Sequence, residues 1–207
     1  DVTSNGDGTF TTTITLNVEN LGSVVLHDVQ VTDNLTDEFG TYLMDAAAVD
    51  MPGEYTISSP VITMNSLDPL VINGDYDGAS NVEILNVVAG GSLLVDELVT
   101  ITFDITFFPD FDEAPFTNQA IATADGPEND DPTGMDDDDT DGDATSDDSD
   151  DGANPDDDGN DNPADDDEDD PTIIDVPVIG IAKMAGDLTN NDDGTFTTTI
   201  TLNVENL

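Results

Sequence analysis

The residues of this chain best suited to chemistry are carboxylates spaced as in a calcium-binding loop. Asp137, Asp139 and Asp141 alternate with other residues and end at a glycine. Calcium takes about six to eight oxygen ligands, and the pattern D-x-[DN]-x-[DN]-G supplies several of them around a tight turn. Asp143 follows in a position for a backbone carbonyl ligand, and Asp148 stands where the closing acid belongs. The spacing therefore predicts a calcium (Ca2+) site in this stretch.

Two looser copies of the same spacing follow along the chain, each with a glycine at the turn. Their candidate ligands are Asp147, Asp151, Asn154, Asp156, Asp158 and Asp165. Consecutive loops of this kind, without flanking helices, resemble thrombospondin type 3 repeats, in which the chain wraps around a row of calcium ions. The alternative is a disordered, self-repelling acidic linker, because runs of like charge usually stay solvated.

A fourth candidate site lies outside the acidic segment. Asn73, Asp75 and Asp77 have the same spacing and also precede a glycine. Because Asn-Gly and Asp-Gly pairs commonly form turns, both a calcium site and a plain turn are open interpretations here. The Asp-Gly pairs at 7–8 and 193–194 lie between predicted strands and instead predict hairpin turns.

The elements that position these acids belong to a module that repeats. Residues 7–21 and 193–207 are identical, and the wider match of 1–21 with 187–207 contains only three differences. A repeat period this long predicts one whole domain per repeat rather than a short solenoid unit. We therefore expect a tandem array, which favours a fibre, stalk or adhesin over an enzyme.

Alternating apolar and polar residues predict strands on both sides of the acidic segment. The strongest alternation covers residues 10–19, 24–32 and 98–108. Weaker candidate strands cover residues 55–58, 61–64, 82–88, 117–123 and 173–184, and residues 45–50 are the one candidate helical turn. Strands at this spacing, without a convincing amphipathic helix, predict an all-β fold in the form of an antiparallel sandwich.

The predicted organisation has three parts. Residues 1–124 are expected to form an Ig-like β-sandwich, residues 125–171 an irregular Asp-rich calcium-binding linker, and residues 172–207 the first strands of the next repeat. A strand predicted at 178–184 precedes the second copy of the repeated segment, so the first sandwich is expected to lack its own opening strand. That strand either precedes residue 1 or is donated by a neighbouring copy.

Six short segments and the acidic linker have a recognisable order within the repeat, counted from the strand that precedes the second copy of the repeated segment. They read VIGIAK, DGTFTTTITLNVENLG, LHDVQVTDNL, DYDGASN, LVTITFDITF and NQAIATA, with a linker that ends in EDDPT. This order resembles the bacterial "conserved repeat domain" (domain of unknown function eleven) found in very long surface proteins. The resemblance implies an Ig-like β-sandwich, tandem repetition, export to the cell surface, and an adhesive or structural role.

The resemblance to surface Ig-like domains also draws attention to Lys183 and Asn118. In many such domains a first-strand lysine and a last-strand asparagine form an isopeptide cross-link, assisted by a buried carboxylate. Asp28 and Asp104 are the candidate helpers here, and burial would supply the neutral amine that the reaction needs. The alternative is a lysine that pairs with surface acids. Lys183 and Asn118 are expected to belong to different copies of the module.

Composition excludes several classes of function. The chain has 49 acidic residues against one Lys or Arg, a net charge of -48, so like-charge repulsion excludes nucleic acid as a partner. No apolar run approaches about 18 residues, so no direct membrane insertion of this segment is expected. With a single histidine, His27, and no cysteine, the sequence offers no catalytic triad, and no enzyme is expected.

These observations predict a structural repeat unit of a giant extracellular protein or filament on the bacterial cell surface. Calcium would rigidify the linkers, and the expected partners are neighbouring copies of the same repeat, joined head to tail and including strand donation. Two alternatives are open: an adhesive module that recognises a surface glycan or protein, and an acidic protein that buffers calcium or nucleates mineral.

Overall fold

The computed structural model describes residues 2–43, 49–64, 66–111, 115–127, 144–156, 159, 163 and 169–206. It divides into two compact units, Asp1–Ile174 and Asp175–Leu207. Both units are built from β-strands, and almost all strand pairs are antiparallel, so the all-β prediction is confirmed. Within the described ranges no helix has the length and apolar character needed to cross a membrane.

The first unit contains strands separated by short turns and a few longer loops. In chain order they are β1 (Thr3–Ser4), β2 (Phe10–Glu19), β3 (Leu26–Asp33), β4 (Thr41–Tyr42), β5 (Glu54–Ile57), β6 (Val61–Thr63), β7 (Ser92–Leu93), β8 (Leu98–Phe108), β9 (Phe116–Asn118), β10 (Ala120–Asp125), β11 (Ala144–Asp148) and β12 (Thr172–Ile174). The described helices are short: α1 (Thr36–Phe39) and a 3-10 turn at Val87–Ala89.

The first sheet is organised around β8. Its strands lie in the order β1-β2-β8-β5-β4, and β6 also pairs with β8. β2 and β8 pair antiparallel from Phe10 opposite Phe107 to Glu19 opposite Leu98. The apolar residues at alternate positions of β8 are at most 2% exposed; they are Val99, Ile101, Phe103, Ile105 and Phe107. The alternation at 10–19 and 98–108 therefore predicted both the strands and the face that β8 buries.

The second sheet has the order β11-β10-β3-β7 and contributes to the same core. Val29 and Val31 of β3 and Ala120 of β10 are buried. The ring of Phe116, on β9, lies 5.6 Å from the ring of Phe107 on β8, measured between centroids. Such aromatic contacts add favourable edge-to-face interactions to the burial of apolar area.

The strand predicted at residues 82–88 is only partly formed, as isolated antiparallel bridges that pair Glu83 with Thr32 and Leu85 with Ile72. At Leu85 the Gln30 side chain completes the pairing, because it donates from Nε2 to Leu85 O at 2.9 Å and accepts Leu85 N–H at Oε1 at 2.9 Å. The chain then turns at Val87–Ala89. Most of the candidate helical turn at 45–50 lies outside the described residues.

The acidic segment was expected to be irregular, but part of it forms a strand. β11 pairs antiparallel with β10, from Ile121 opposite Asp148 to Asp125 opposite Ala144. The segment ends at β12, which pairs with β9. The strand forms because residues 144–146 (Ala-Thr-Ser) are uncharged and lie against an available edge of β10. The described part of the segment is therefore anchored to the first unit at both ends.

The second unit contains β13 (Ile179–Ala185), β14 (Thr189–Asn190), β15 (Phe196–Thr197) and β16 (Ile200–Asn206). β13 pairs antiparallel with β16, and β14 with β15. The strand predicted at 173–184 is divided in two, because Pro177 falls in the gap between β12 and β13 and cannot donate to a ladder. The apolar side chains of β13 and β16 are exposed, including Ile179 at 78% and Ile181 at 72%.

Candidate functional site

The two copies of the repeated segment build the same hairpin turn. In the first copy, Asp7 Oδ1 accepts hydrogen bonds from Thr9 N at 3.1 Å and Thr9 Oγ1 at 2.7 Å. In the second copy, Asp193 Oδ1 accepts the equivalent bonds from Thr195 at 2.9 and 2.6 Å. In both turns these bonds, the threonine hydroxyl foremost, lower the pKa of the aspartate. The hairpin prediction at both Asp-Gly pairs is confirmed by the pairing of the flanking strands.

The strands that follow these turns, β2 and β16, differ in how far the edge on the hairpin side is paired. In the second unit, β16 pairs with β13 at seven positions, from Ile179 opposite Asn206 to Ala185 opposite Ile200. Residues 14–20, which comprise the second half of β2 and Asn20, have the same sequence as β16. In the first unit, β1 covers that edge only at Phe10 and Thr11, and no other described strand pairs with it. Among the described residues, this edge of β2 therefore has no strand partner beyond Thr11, whereas the corresponding edge of β16 is paired.

A groove of about 590 Å³ lies beside the unpaired edge of β2. The C-terminal half of β2 forms one side of it, and β10 and β11 contribute to the lining. Its apolar lining residues include Val18, Leu26, Val29, Leu93, Ala122 and Ala124. Val29 and Leu93 are almost fully buried, whereas Val18 is only half-buried. The groove thus reaches buried residues of the first unit, and Pro155 and Pro163 of the acidic segment also line it.

The loop from Asn73 to Glu83 uses its side-chain oxygens to hold its own backbone. Asp77 Oδ1 accepts from Ala79 N and Asn81 N, each at 2.9 Å. Asn73 Oδ1 accepts from Asp75 N at 3.1 Å, and Asn73 Nδ2 donates to Glu83 O at 2.9 Å. These contacts are typical of a side-chain-supported turn, which was one of the two interpretations. A calcium site at this loop stays a prediction.

The backbone conformation and close packing at position 78 of this loop require a glycine. Its φ is +68°, and a Cβ at this position would lie 2.7 Å from Leu35 Cδ1. Its carbonyl oxygen accepts hydrogen bonds from Leu35 N at 2.8 Å and from the Tyr55 hydroxyl at 3.1 Å. The loop is therefore fastened to the core, and its glycine serves packing as well as the turn.

The predicted calcium ligands of the acidic segment are only partly described. Asp137, Asp139, Asp141, Asp143, Asp158 and Asp165 lie outside the described residues. Asp147 and Asp148 lie on β11, opposite Ala122 and Ile121 of β10. In the described portion of the chain, no three Asp, Glu or His side chains converge as a metal-binding group. Calcium binding by the whole segment stays a prediction.

The remaining predicted ligands follow β11. Asp151 is exposed, whereas Asp156 is only 6% exposed and accepts a hydrogen bond from Gly159 N at 3.0 Å. Asn154 Nδ2 donates to Asp156 O at 2.7 Å. The segment also touches β2, where Asn17 Nδ2 donates to Ala153 O at 2.7 Å. These bonds hold the beginning of the connector against the first unit.

A buried acid–amide pair lies at the end of β3. Asp33 is 1% exposed, and its Oδ2 accepts a hydrogen bond from Asn118 Nδ2 at 3.2 Å. Its Oδ1 is buried and has no hydrogen-bond partner among the described residues, and the same is true of the hydroxyl of Tyr76. Burial raises the pKa of Asp33 to about 7, against the opposing effect of the Asn118 hydrogen bond.

This pair revises one element of the isopeptide prediction. Asn118 is buried beside a carboxylate, as the chemistry requires, but the carboxylate is Asp33 and not Asp28 or Asp104, which are both exposed. Lys183 is exposed on β13 in the second unit. A Lys183–Asn118 bond therefore stays a prediction.

Sequence reasoning missed Asp33 although the signal was present. Val29, Val31 and Asp33 occupy alternate positions of β3 and therefore share its buried face.

Comparison with known proteins adds no assignment, since no family model, curated protein or solved structure matches this chain.

Proposed function

We propose that this chain is a structural repeat unit of a large extracellular protein or filament on the bacterial cell surface. In this proposal the first unit is an Ig-like β-sandwich, and the acidic segment is a connector that calcium makes rigid. The observation that carries the proposal is the repeated segment itself. Its two copies share sequence, turn hydrogen bonds and strand pairing, as successive copies of one module would.

The anchoring of the connector supports a mechanical role. β11 pairs with β10 at the start of the connector, β12 pairs with β9 at its end, and Gln119 Nε2 donates to Asp169 O at 2.9 Å. Both anchors lie on the first unit, so the segment between them can stay compact against that unit only if its carboxylates are neutralised. Two unit charges at 4 Å repel by ~1 kcal/mol even in bulk water, which favours extension without cations. Calcium supplies that neutralisation and takes oxygen ligands.

Calcium titration of the whole chain tests this proposal. We expect calorimetry to detect a small integer number of sites with dissociation constants of roughly 0.1 to 1 mM, the range of extracellular calcium modules. Replacing Asp137, Asp139 and Asp141 together by Asn should remove at least one of these sites. The matched control replaces three exposed acids of the first unit, Asp28, Asp96 and Asp104, by Asn, which makes the same change in charge.

The control substitutions are mild for the backbone. Asp28 and Asp96 have φ values of +48° and +60°, a conformation that Asn tolerates well. If both triple variants lose the same amount of binding, the carboxylates act only through total charge. Many weak, unsaturable sites would favour calcium buffering or mineral nucleation, and would overturn the rigid connector.

A further inference from the structure

We infer that the pairing of β11 with β10 is the calcium-free arrangement of the connector, and that the calcium loop predicted to begin at Asp147 forms only when β11 leaves β10. The inference deepens the proposed function and rests on it, because calcium binding by the acidic segment is taken from there. It adds that calcium and the first unit compete for the same residues of the connector.

The pairing of β11 with β10 includes the beginning of the predicted calcium loop. Asp147 stands opposite Ala122 of β10. Beyond the end of β11, Ser149 N donates to Ala120 O at 2.8 Å, and Ser149 Oγ accepts a hydrogen bond from Ala120 N at 3.0 Å. The first unit therefore holds the beginning of the loop through both backbone and side-chain atoms.

This arrangement does not fit a calcium ion. In the Asp-x-Ser-x-Asp-Gly spacing of residues 147–152, the side-chain oxygens of the first, third and fifth residues must converge to about 2.3–2.6 Å from one ion. In a strand, residues two apart are separated by roughly 6.6 Å along the chain. Ser149 Oγ already accepts the Ala120 N–H, and in the described portion of the chain no three acidic or histidine side chains converge as a metal-binding group. The loop must therefore curl away from β10 to coordinate calcium.

β11 is held by backbone pairing rather than by burial, so it can be displaced. Residues 144–146 are exposed, and Asp147 and Asp148 are only half-buried. A strand with little buried apolar surface opens locally at a small cost in free energy. Docking also brings these two carboxylates against a chain of net charge -48, and like-charge repulsion opposes it. Release of β11 therefore leaves the first unit folded, because the buried core lies outside β11.

Disulfide trapping in the full chain measures how much of β11 is docked. The chain has no cysteine, so introduced thiols react only with each other. Thr123 and Ser146 stand directly opposite each other in the β10–β11 pair, and both are exposed. Directly opposite Cα atoms lie roughly 4.5–5.5 Å apart, within reach of a disulfide. The variant with Thr123→Cys and Ser146→Cys, the β10–β11 cysteine pair, should therefore form its disulfide readily under mild oxidation in chelator.

Calcium should slow the formation of this disulfide. At about 5 mM calcium and a dissociation constant of roughly 1 mM, binding that excludes docking lowers the docked population, and with it the rate of disulfide formation, about six-fold. Thr15 and Thr102 stand directly opposite each other on β2 and β8 and provide the control. A disulfide between Thr15→Cys and Thr102→Cys should form at the same rate with and without calcium.

Matched substitutions test whether the loop that begins at Asp147 is responsible. Adding Asp147→Asn and Asp151→Asn to the β10–β11 cysteine pair should remove the effect of calcium on disulfide formation. Adding Asp169→Asn and Asp170→Asn instead makes the same change in charge at exposed acids that the spacing assigns to no loop. That control should keep the effect of calcium, and an equal loss in both variants would contradict competition at this loop.

Calorimetry on the same chain distinguishes failure of this inference from failure of the proposed function. The oxidised β10–β11 cysteine pair keeps β11 docked, so it should bind at least one calcium ion fewer than its reduced form. Calcium binding without any change in disulfide formation, or equal numbers of ions in the two forms, would overturn the competition and leave the calcium-binding connector standing. A reduced chain that binds no calcium would overturn both.

Discussion

At the scale of single residues, the buried carboxylate of Asp33 is the group whose ionisation most destabilises the fold. A carboxylate with 1% exposure and one hydrogen bond, from Asn118, is poorly solvated when ionised. Burial consequently raises its pKa to about 7 from an ordinary 3.8. The folded state therefore binds a proton more tightly than the unfolded state between these two pH values, and stability falls as pH rises through that window.

We expect Asp33→Asn to stabilise the protein at pH 8 but to have little effect at pH 4. At pH 8 the unfolded and folded carboxylates are both ionised, and the folded one lies in the core. The difference between 3.8 and about 7 corresponds to on the order of 4 kcal/mol in the free energy of unfolding. Urea unfolding of both proteins at a series of pH values measures it. The difference between variant and parent should grow from pH 4 to pH 7 and then level off.

Asp104→Asn provides the control for this change. Asp104 is an exposed carboxylate of the first sheet that accepts a hydrogen bond from Thr13 Oγ1 at 2.6 Å. The Asp104→Asn substitution removes one negative charge from the molecule, as Asp33→Asn does, but it does not change a buried group. If Asp104→Asn reproduced the pH dependence of Asp33→Asn, the effect would come from total charge and not from burial of Asp33.

At the scale of elements, the β2–β8 ladder supports most of the first unit. Ile101 is 0% exposed and stands between Leu16 of β2 and Ile62 of β6. We expect Ile101→Ala to lower the free energy of unfolding by about 2–5 kcal/mol, because the packed neighbours cannot close the cavity. Thr102→Ala, on the other face of the same strand, should cost well under half as much. Equal losses in urea unfolding would mean that the buried face is not the source of stability.

The elements also show where sequence patterns suffice. β2 and β8 were predictable because each alternates apolar and polar residues over ten positions or more. α1 was not, because a four-residue helix has no period to detect, and its start depends on Asn34 Oδ1 accepting the Thr36 amide at 3.2 Å. The hydrogen bonds from the Gln30 side chain to the Leu85 backbone were also not predictable, because they join residues 55 positions apart.

Both candidate sites had a signal in the sequence. The alternation of β3 could have placed Asp33 in the core, since it follows Val29 and Val31 on one face. Residues 14–20 and 200–206 are identical, but in the given sequence only the second copy is preceded by the strand predicted at 178–184, which pairs with it as β13.

At the scale of the whole molecule, 49 acids and a single lysine make charge repulsion the dominant long-range force. Salt screens such repulsion, with a Debye length of roughly 10 Å at 0.1 M and 3 Å at 1 M. Sodium chloride alone is therefore expected to raise the melting temperature in the presence of chelator. Any divalent cation adds to this screening, so a stabilising effect of calcium at low salt does not by itself identify binding.

The decisive comparison is the effect of calcium at high salt. In about 1 M sodium chloride the exposed charges are already screened, so about 5 mM calcium should raise the melting temperature further only if it is coordinated by carboxylates. We expect that further rise, and a smaller one with magnesium, which requires stricter octahedral geometry and gives up its water reluctantly. Replacing Asp137, Asp139 and Asp141 together by Asn should reduce the rise in melting temperature that calcium causes. The rise in melting temperature that sodium chloride causes should be unchanged. An increment that disappears in high salt would reduce the role of calcium to screening and would contradict a connector built around bound ions.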